Sequence, residues 1–85
     1  MNYPVIDQKK TGKNIKKYVM KENLSINEVA SRLGISSKST LYKWIRGDAL
    51  PSLDNLYALS IILHVSINDL LCTEQSDNEL FLKSS

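Results

Sequence analysis

Eighty-five residues hold one small domain and leave no room for a second core. Apolar content of 42% and charged content of 24% are ordinary for a soluble globular chain, while a net charge of only +2 excludes a polycation acting through bulk charge. Any affinity for nucleic acid must therefore come from where the charges sit. The single cysteine, Cys72, forms no internal disulfide and suits a reducing cytoplasm. The start MNYPVIDQKK lacks the basic-then-apolar pattern of an export signal, and no apolar run approaches the roughly 18 residues of a membrane span, so neither export nor membrane insertion is expected.

Residues 1–10, with Pro4 and the pair Lys9-Lys10, read as an N-terminal arm or short lead-in, either reaching toward a groove or disordered. From Thr11 to Asn23 the spacing of Ile15, Tyr18 and Val19 predicts a first helix, with Thr11 as candidate cap. Lys13, Lys16, Lys17 and Lys21 share its outer surface. Ser25 and Glu28 have the spacing of a capping box, in which each side chain reaches the other residue's amide. Val29, Ala30 and Leu33 then fall on one face of a second helix, and Gly34 stands where its end requires a left-handed backbone. After a serine-rich turn, Leu41, Trp44 and Ile45 mark the buried stripe of a third helix, closed by Gly47. Two short helices this close imply an angled helix-turn-helix.

Asp48-Ala49-Leu50-Pro51 is a loop, because Pro51 lacks a backbone donor and disfavours helix at Leu50. Ser52 is the next cap. Leu53, Leu56, Tyr57, Leu59, Ile62 and Leu63 form a wide apolar stripe on a fourth helix, and His64 is placed to end it in the left-handed region. Ser66-Ile67-Asn68-Asp69 repeats the pattern of Ser25 to Glu28, predicting the same cap on a fifth helix, after which Leu70 and Leu71 close the core. Residues 73–85 form a polar tail interrupted by Leu80-Phe81-Leu82. The domain proper is thus 11–72, an all-α bundle of five helices.

On the third helix, at about 100° per residue, Leu41, Trp44 and Ile45 point one way and Lys38, Ser39, Tyr42, Lys43 and Arg46 share an opposite arc of roughly 140°. Three cations, a hydroxyl and a phenol on one face can donate to phosphates or base edges, and the major groove admits one such helix. The series LGIS…STLYKWIRG…LPSLDNLYALS…VSINDLL resembles the phage-repressor and Cro (Xre-type) helix-turn-helix family over roughly residues 11–71. Each piece alone is weak; Ala30, Gly34, Trp44 to Gly47, Leu50 to Ser52 and Val65 to Leu71 in the family's order are together a strong signal. The resemblance implies sequence-specific binding of double-stranded DNA by a small bacterial or phage transcriptional regulator, in character a repressor. It places Lys38, Ser39 and Lys43 on base-reading positions, Ser37 and Thr40 on capping or phosphate-touching ones, and Arg46 near the DNA backbone, with Tyr42 on the same face. It also implies that the second helix donates to phosphate through its N-terminal amides.

Three departures stand out. Gly34 to Trp44 is one residue longer than in the common pattern, which leaves either Ser36 or Ser37 as the cap. Ile26 replaces a frequent Gln, and Ile45 a frequent Glu. Ile26 and Leu80-Phe81-Leu82 instead suit a competing reading, a protein-interaction module such as an antitoxin gripping its partner. Family members commonly pair as two-fold dimers; here the expected homodimer surface is Ile67, Leu70 and Leu71, extended by Leu80, Phe81 and Leu82. Catalysis is not expected: one histidine, His64, and one cysteine offer no dyad held together by anything else, no metal-ligand cluster is spaced in the sequence, and Thr11-Gly12-Lys13 lacks the spacing of a phosphate loop. No cofactor and no small-molecule ligand are implied.

Overall fold

Serine and aspartate caps divide residues 5–72, the part of the chain that the computed structural model describes, into five helices. They are α1 (Gln8–Lys21), α2 (Ile26–Leu33), α3 (Lys38–Arg46), α4 (Leu53–Leu63) and α5 (Ile67–Leu70), and there is no strand ladder among the described residues. Both expected capping boxes are present, Ser25 with Glu28 and Ser66 with Asp69, and Ser52 accepts from the Asn55 amide. Gly34, Gly47 and His64 each end a helix in the left-handed region. The open choice at the turn resolves to Ser37, whose hydroxyl accepts from the Ser39 amide at 3.3 Å.

The first helix differs from expectation. It begins at Gln8 and is capped by Asp7, which accepts from the Lys10 amide at 2.9 Å. Thr11 lies inside the first turns and is fully buried. Its hydroxyl accepts from the Cys72 amide at 3.0 Å instead of capping a helix. Asp7 donates its own amide to the Cys72 carbonyl at 2.7 Å, and the Asn14 amide reaches the Leu70 carbonyl and the Cys72 sulfur. The end of the described chain is thereby fastened along α1, satisfying carbonyls that α5 leaves open. A threonine with helix on both sides can take part in such a bond only because a distant segment supplies the donor, which local sequence does not reveal.

Ile15, Val19, Val29, Ala30, Leu41, Trp44, Leu56, Leu59, Leu63 and Leu70 form the core. The α4 stripe is narrower than its sequence suggests: Leu53 and Tyr57 are 75% and 61% exposed. The fourth helix is apolar on both sides, so its sequence names the inward Leu56, Leu59 and Leu63 without excluding Leu53 and Tyr57. The expected dimer surface also changes. Leu70 is fully buried, and Ile67 and Leu71 pack against the same core, which leaves no Leu70 side chain to offer a partner. Leu80, Phe81 and Leu82 lie outside the described residues.

A candidate nucleic-acid interface on the third helix

The orientation of α3 is set by its contact with α1. Gly12 is buried, and a Cβ there would overlap the carbonyl oxygens of Trp44 and Ile45, so the two backbones touch where only glycine fits. One turn earlier, Lys9 crosses Gly47: a Cβ built on Gly47 would lie 2.7 Å from the Lys9 Cα. Gly47 also has φ of +82°, so both sterics and backbone conformation call for glycine. Leu41 and Trp44 anchor the inner side of α3, while Ile45 packs apolarly at the margin of the core.

The outer side of α3 carries the expected set. Lys38, Ser39, Tyr42, Lys43 and Arg46 are all exposed, with Thr40 half-buried at the edge and Ser37 exposed at the cap. Ser37 and Ser39 hydroxyls lie 2.7 Å apart, so the cap and its neighbour share a proton donor. Arg46 donates from Nε to the Asp48 carboxylate at 3.0 Å, with both side chains more than half exposed. At the start of α2 the capping box occupies the Glu28 amide and sets the Glu28 carboxylate 3.0 Å from the Ser25 amide. That negative charge stands where an incoming phosphate would approach, which weakens the phosphate site expected there.

Charge is strongly segregated. Six lysines lie on α1 and Lys38, Lys43 and Arg46 on α3, so these two helices hold nine of the chain's eleven cationic residues, and neither helix holds an acid. The net charge of +2 therefore conceals two strongly cationic helices. Lys9, read with Lys10 in an N-terminal arm either reaching toward a groove or disordered, lies instead inside α1 with its backbone against Gly47. Sequence alone does not show that placement, because the glycine at position 47 marks a helix end as readily as a close approach. Among the described residues no group of histidine, cysteine, aspartate or glutamate is arranged to hold a metal ion, and no helix is long and apolar enough to cross a membrane.

A family model described as helix-turn-helix matches residues 15–70. Among solved structures, the master regulator for biofilm formation SinR, determined in complex with DNA, is 33% identical, with a TM-score of 0.64 over 71% of this chain and 95% of that one. The restriction-modification controller protein C.AhdI from Aeromonas hydrophila is 25% identical, with a TM-score of 0.68 over 75% and 96%. The fold also recurs in HppE, determined in complex with substrate, at 21% identity and a TM-score of 0.72; there the match covers 84% of this chain and 39% of the other, and is a likeness of fold alone. No curated protein matches the sequence.

Proposed function

The chain belongs to the Xre/Cro-like helix-turn-helix family, and we propose on that footing that it is a transcriptional regulator that binds double-stranded DNA sequence-specifically through α3. The observation that carries this reading is the acid-free outer face of α3, held out by the Gly12 and Gly47 contacts on a scaffold like that of SinR. Lys38, Ser39 and Lys43 would meet base edges, where lysine donates to guanine O6 and N7 and serine adapts to either partner. Ser37, Thr40, Tyr42, Arg46 and Lys9 would hold the phosphates on either side, which fixes register without carrying sequence information. Repression then follows from occupancy of a site that the transcription machinery needs, in a cytoplasmic setting, by a homodimer on paired half-sites about one helical turn apart.

Selection of bound duplexes from a random pool tests the assignment. Lys38→Ala, Ser39→Ala and Lys43→Ala should each relax preference at particular base pairs, costing about 1–3 kcal/mol there. Arg46→Ala should weaken all sequences alike. Identical selected profiles for the three base-side variants and the parent would overturn the roles given to them.

A further inference from the structure

Cys72 is held against the first two turns of α1. Its amide donates to the Thr11 hydroxyl at 3.0 Å, and its carbonyl accepts from the Asp7 amide at 2.7 Å. Asn14 closes the same seam on the Leu70 carbonyl and the Cys72 sulfur. These bonds fix a direction as well as a place. With its amide at Thr11 and its carbonyl at Asp7, Cys72 sends the chain toward the start of α1. Residues 73–85 therefore begin at the turns that carry Lys9, Lys10 and Lys13, all three exposed.

Charge is divided between these two parts of the chain. Residues 73–85 hold Glu74, Asp77 and Glu79 against Lys83, so this segment stands at −2 and the rest of the chain at +4. All three acids fall in its first seven residues. On α1 the six lysines crowd one another, with Lys9 and Lys13, Lys13 and Lys17, and Lys17 and Lys21 each at i, i+4, a spacing at which like charges destabilise a helix. No ion pair joins any of the six to another described residue. Asp7 adds one negative charge at the cap, but its carboxylate is committed to the Lys10 amide.

We propose that residues 74–79 dock in cis across the first two turns of α1, placing Glu74, Asp77 and Glu79 on Lys9, Lys10 and Lys13, and that DNA must displace them. The reach is sufficient. Glu74 and Glu79 are two and seven residues beyond Cys72, spans of up to about 7 and 25 Å, whereas the three lysines occupy about 6 Å of helix. Exposed ion pairs are individually weak, but so short a tether keeps the acids at an effective concentration in the millimolar range. The docking itself does not involve DNA. Its effect on DNA rests on the regulator reading, in which Lys9 meets a phosphate. A segment docked two-thirds of the time leaves one-third of the chains open, an apparent affinity about threefold weaker.

Carbodiimide cross-linking of the full chain, which joins carboxylates to amines in contact, tests the docking without DNA. Peptide mass spectrometry of material at one chain mass should find Glu74, Asp77 or Glu79 linked to Lys9, Lys10 or Lys13, with the yield falling as salt shortens the Debye length. Anisotropy titrations on a selected duplex test the competition. The variant Glu74→Gln, Asp77→Asn, Glu79→Gln should bind about threefold more tightly than the parent at low salt, and the gap should close as salt rises. In a Lys10→Gln, Lys13→Gln background the same three changes should gain less, because the docking partners are gone, whereas a bulk effect of net charge would persist in full. None of these side chains is in the core, and circular dichroism melts check that each variant folds. Absent links, links spread evenly over every lysine, or links found only at twice the chain mass overturn the proposal. Equal gains in both backgrounds, or no gain from a chain that does bind the duplex, overturn it as well. Links to the three lysines in a chain that binds no duplex would leave the docking standing and remove the regulator reading instead.

Discussion

Arg46 and Asp48 sit two residues apart at the end of α3, joined by a 3.0 Å hydrogen bond between two exposed side chains. An exposed ion pair contributes at most about 1 kcal/mol, so a phosphate can displace Asp48 from the guanidinium with little loss. On the proposed reading its carboxylate would nevertheless stay beside the DNA backbone and oppose it. Asp48→Asn should therefore tighten binding to every duplex by up to about 1 kcal/mol without changing sequence preference. Fluorescence anisotropy titrations on a selected site and on an unrelated one would measure it, and a gain confined to the selected site would show Asp48 acting on base readout instead. His64 makes the complementary point about one side chain and one backbone angle: with φ of 58° it ends α4 in the region that glycine usually fills.

At the scale of elements, the crossing of α1 over α3 decides where the candidate interface points. It is made by backbone meeting backbone at Gly12, with no side chain between. A methyl group there meets the carbonyl oxygens of Trp44 and Ile45, which cannot yield without disturbing the last turn of α3. Gly12→Ala should cost about 3 kcal/mol, at the upper end of the usual range for overpacking. Gly34→Ala is the control. Its φ is +73°, but nothing lies within 4 Å of the added carbon, so only the left-handed backbone is penalised, at about 1 kcal/mol. Urea denaturation gives both values. Equal losses would mean that the α1–α3 crossing relaxes to accept a side chain.

For the whole molecule, segregation of charge matters more than its sum. Counterion release makes log K fall against log salt with a slope near −0.9 for each phosphate neutralised. With Lys9 and Arg46 each meeting one phosphate, a half-site should show a slope of about −2 and a two-copy site about −4. Titrations at several salt concentrations test this, and a full-site slope no steeper than the half-site slope would place one copy, not two, on the DNA.

How much of this was legible in the 85 residues depends on the range of the interaction involved. Helix ends written by neighbouring residues were mostly readable, because a capping box or a left-handed terminus is complete within about five positions: Ser25 with Glu28, Ser66 with Asp69, Gly34 and His64 all stand where their types implied, while the equally local Asp7 cap fell in the stretch read as an arm. The polar face of α3 was readable for the same reason, since helical periodicity alone puts Lys38, Tyr42, Arg46, Ser39 and Lys43 together. What depended on distant segments was not. The Thr11 hydroxyl bonds to an amide 61 positions away, and Gly12 is a glycine on account of carbonyls more than 30 positions on. Leu70 was read both as closing the core and as part of a dimer surface, and the fold decided for the core. On α4 the periodicity named Leu56, Leu59 and Leu63 for the interior and left Ile61 out of the stripe. Only packing against α2 and α5 placed Leu53 and Tyr57 outside it, because a core has room for one face of a helix and the sequence supplied a wider one.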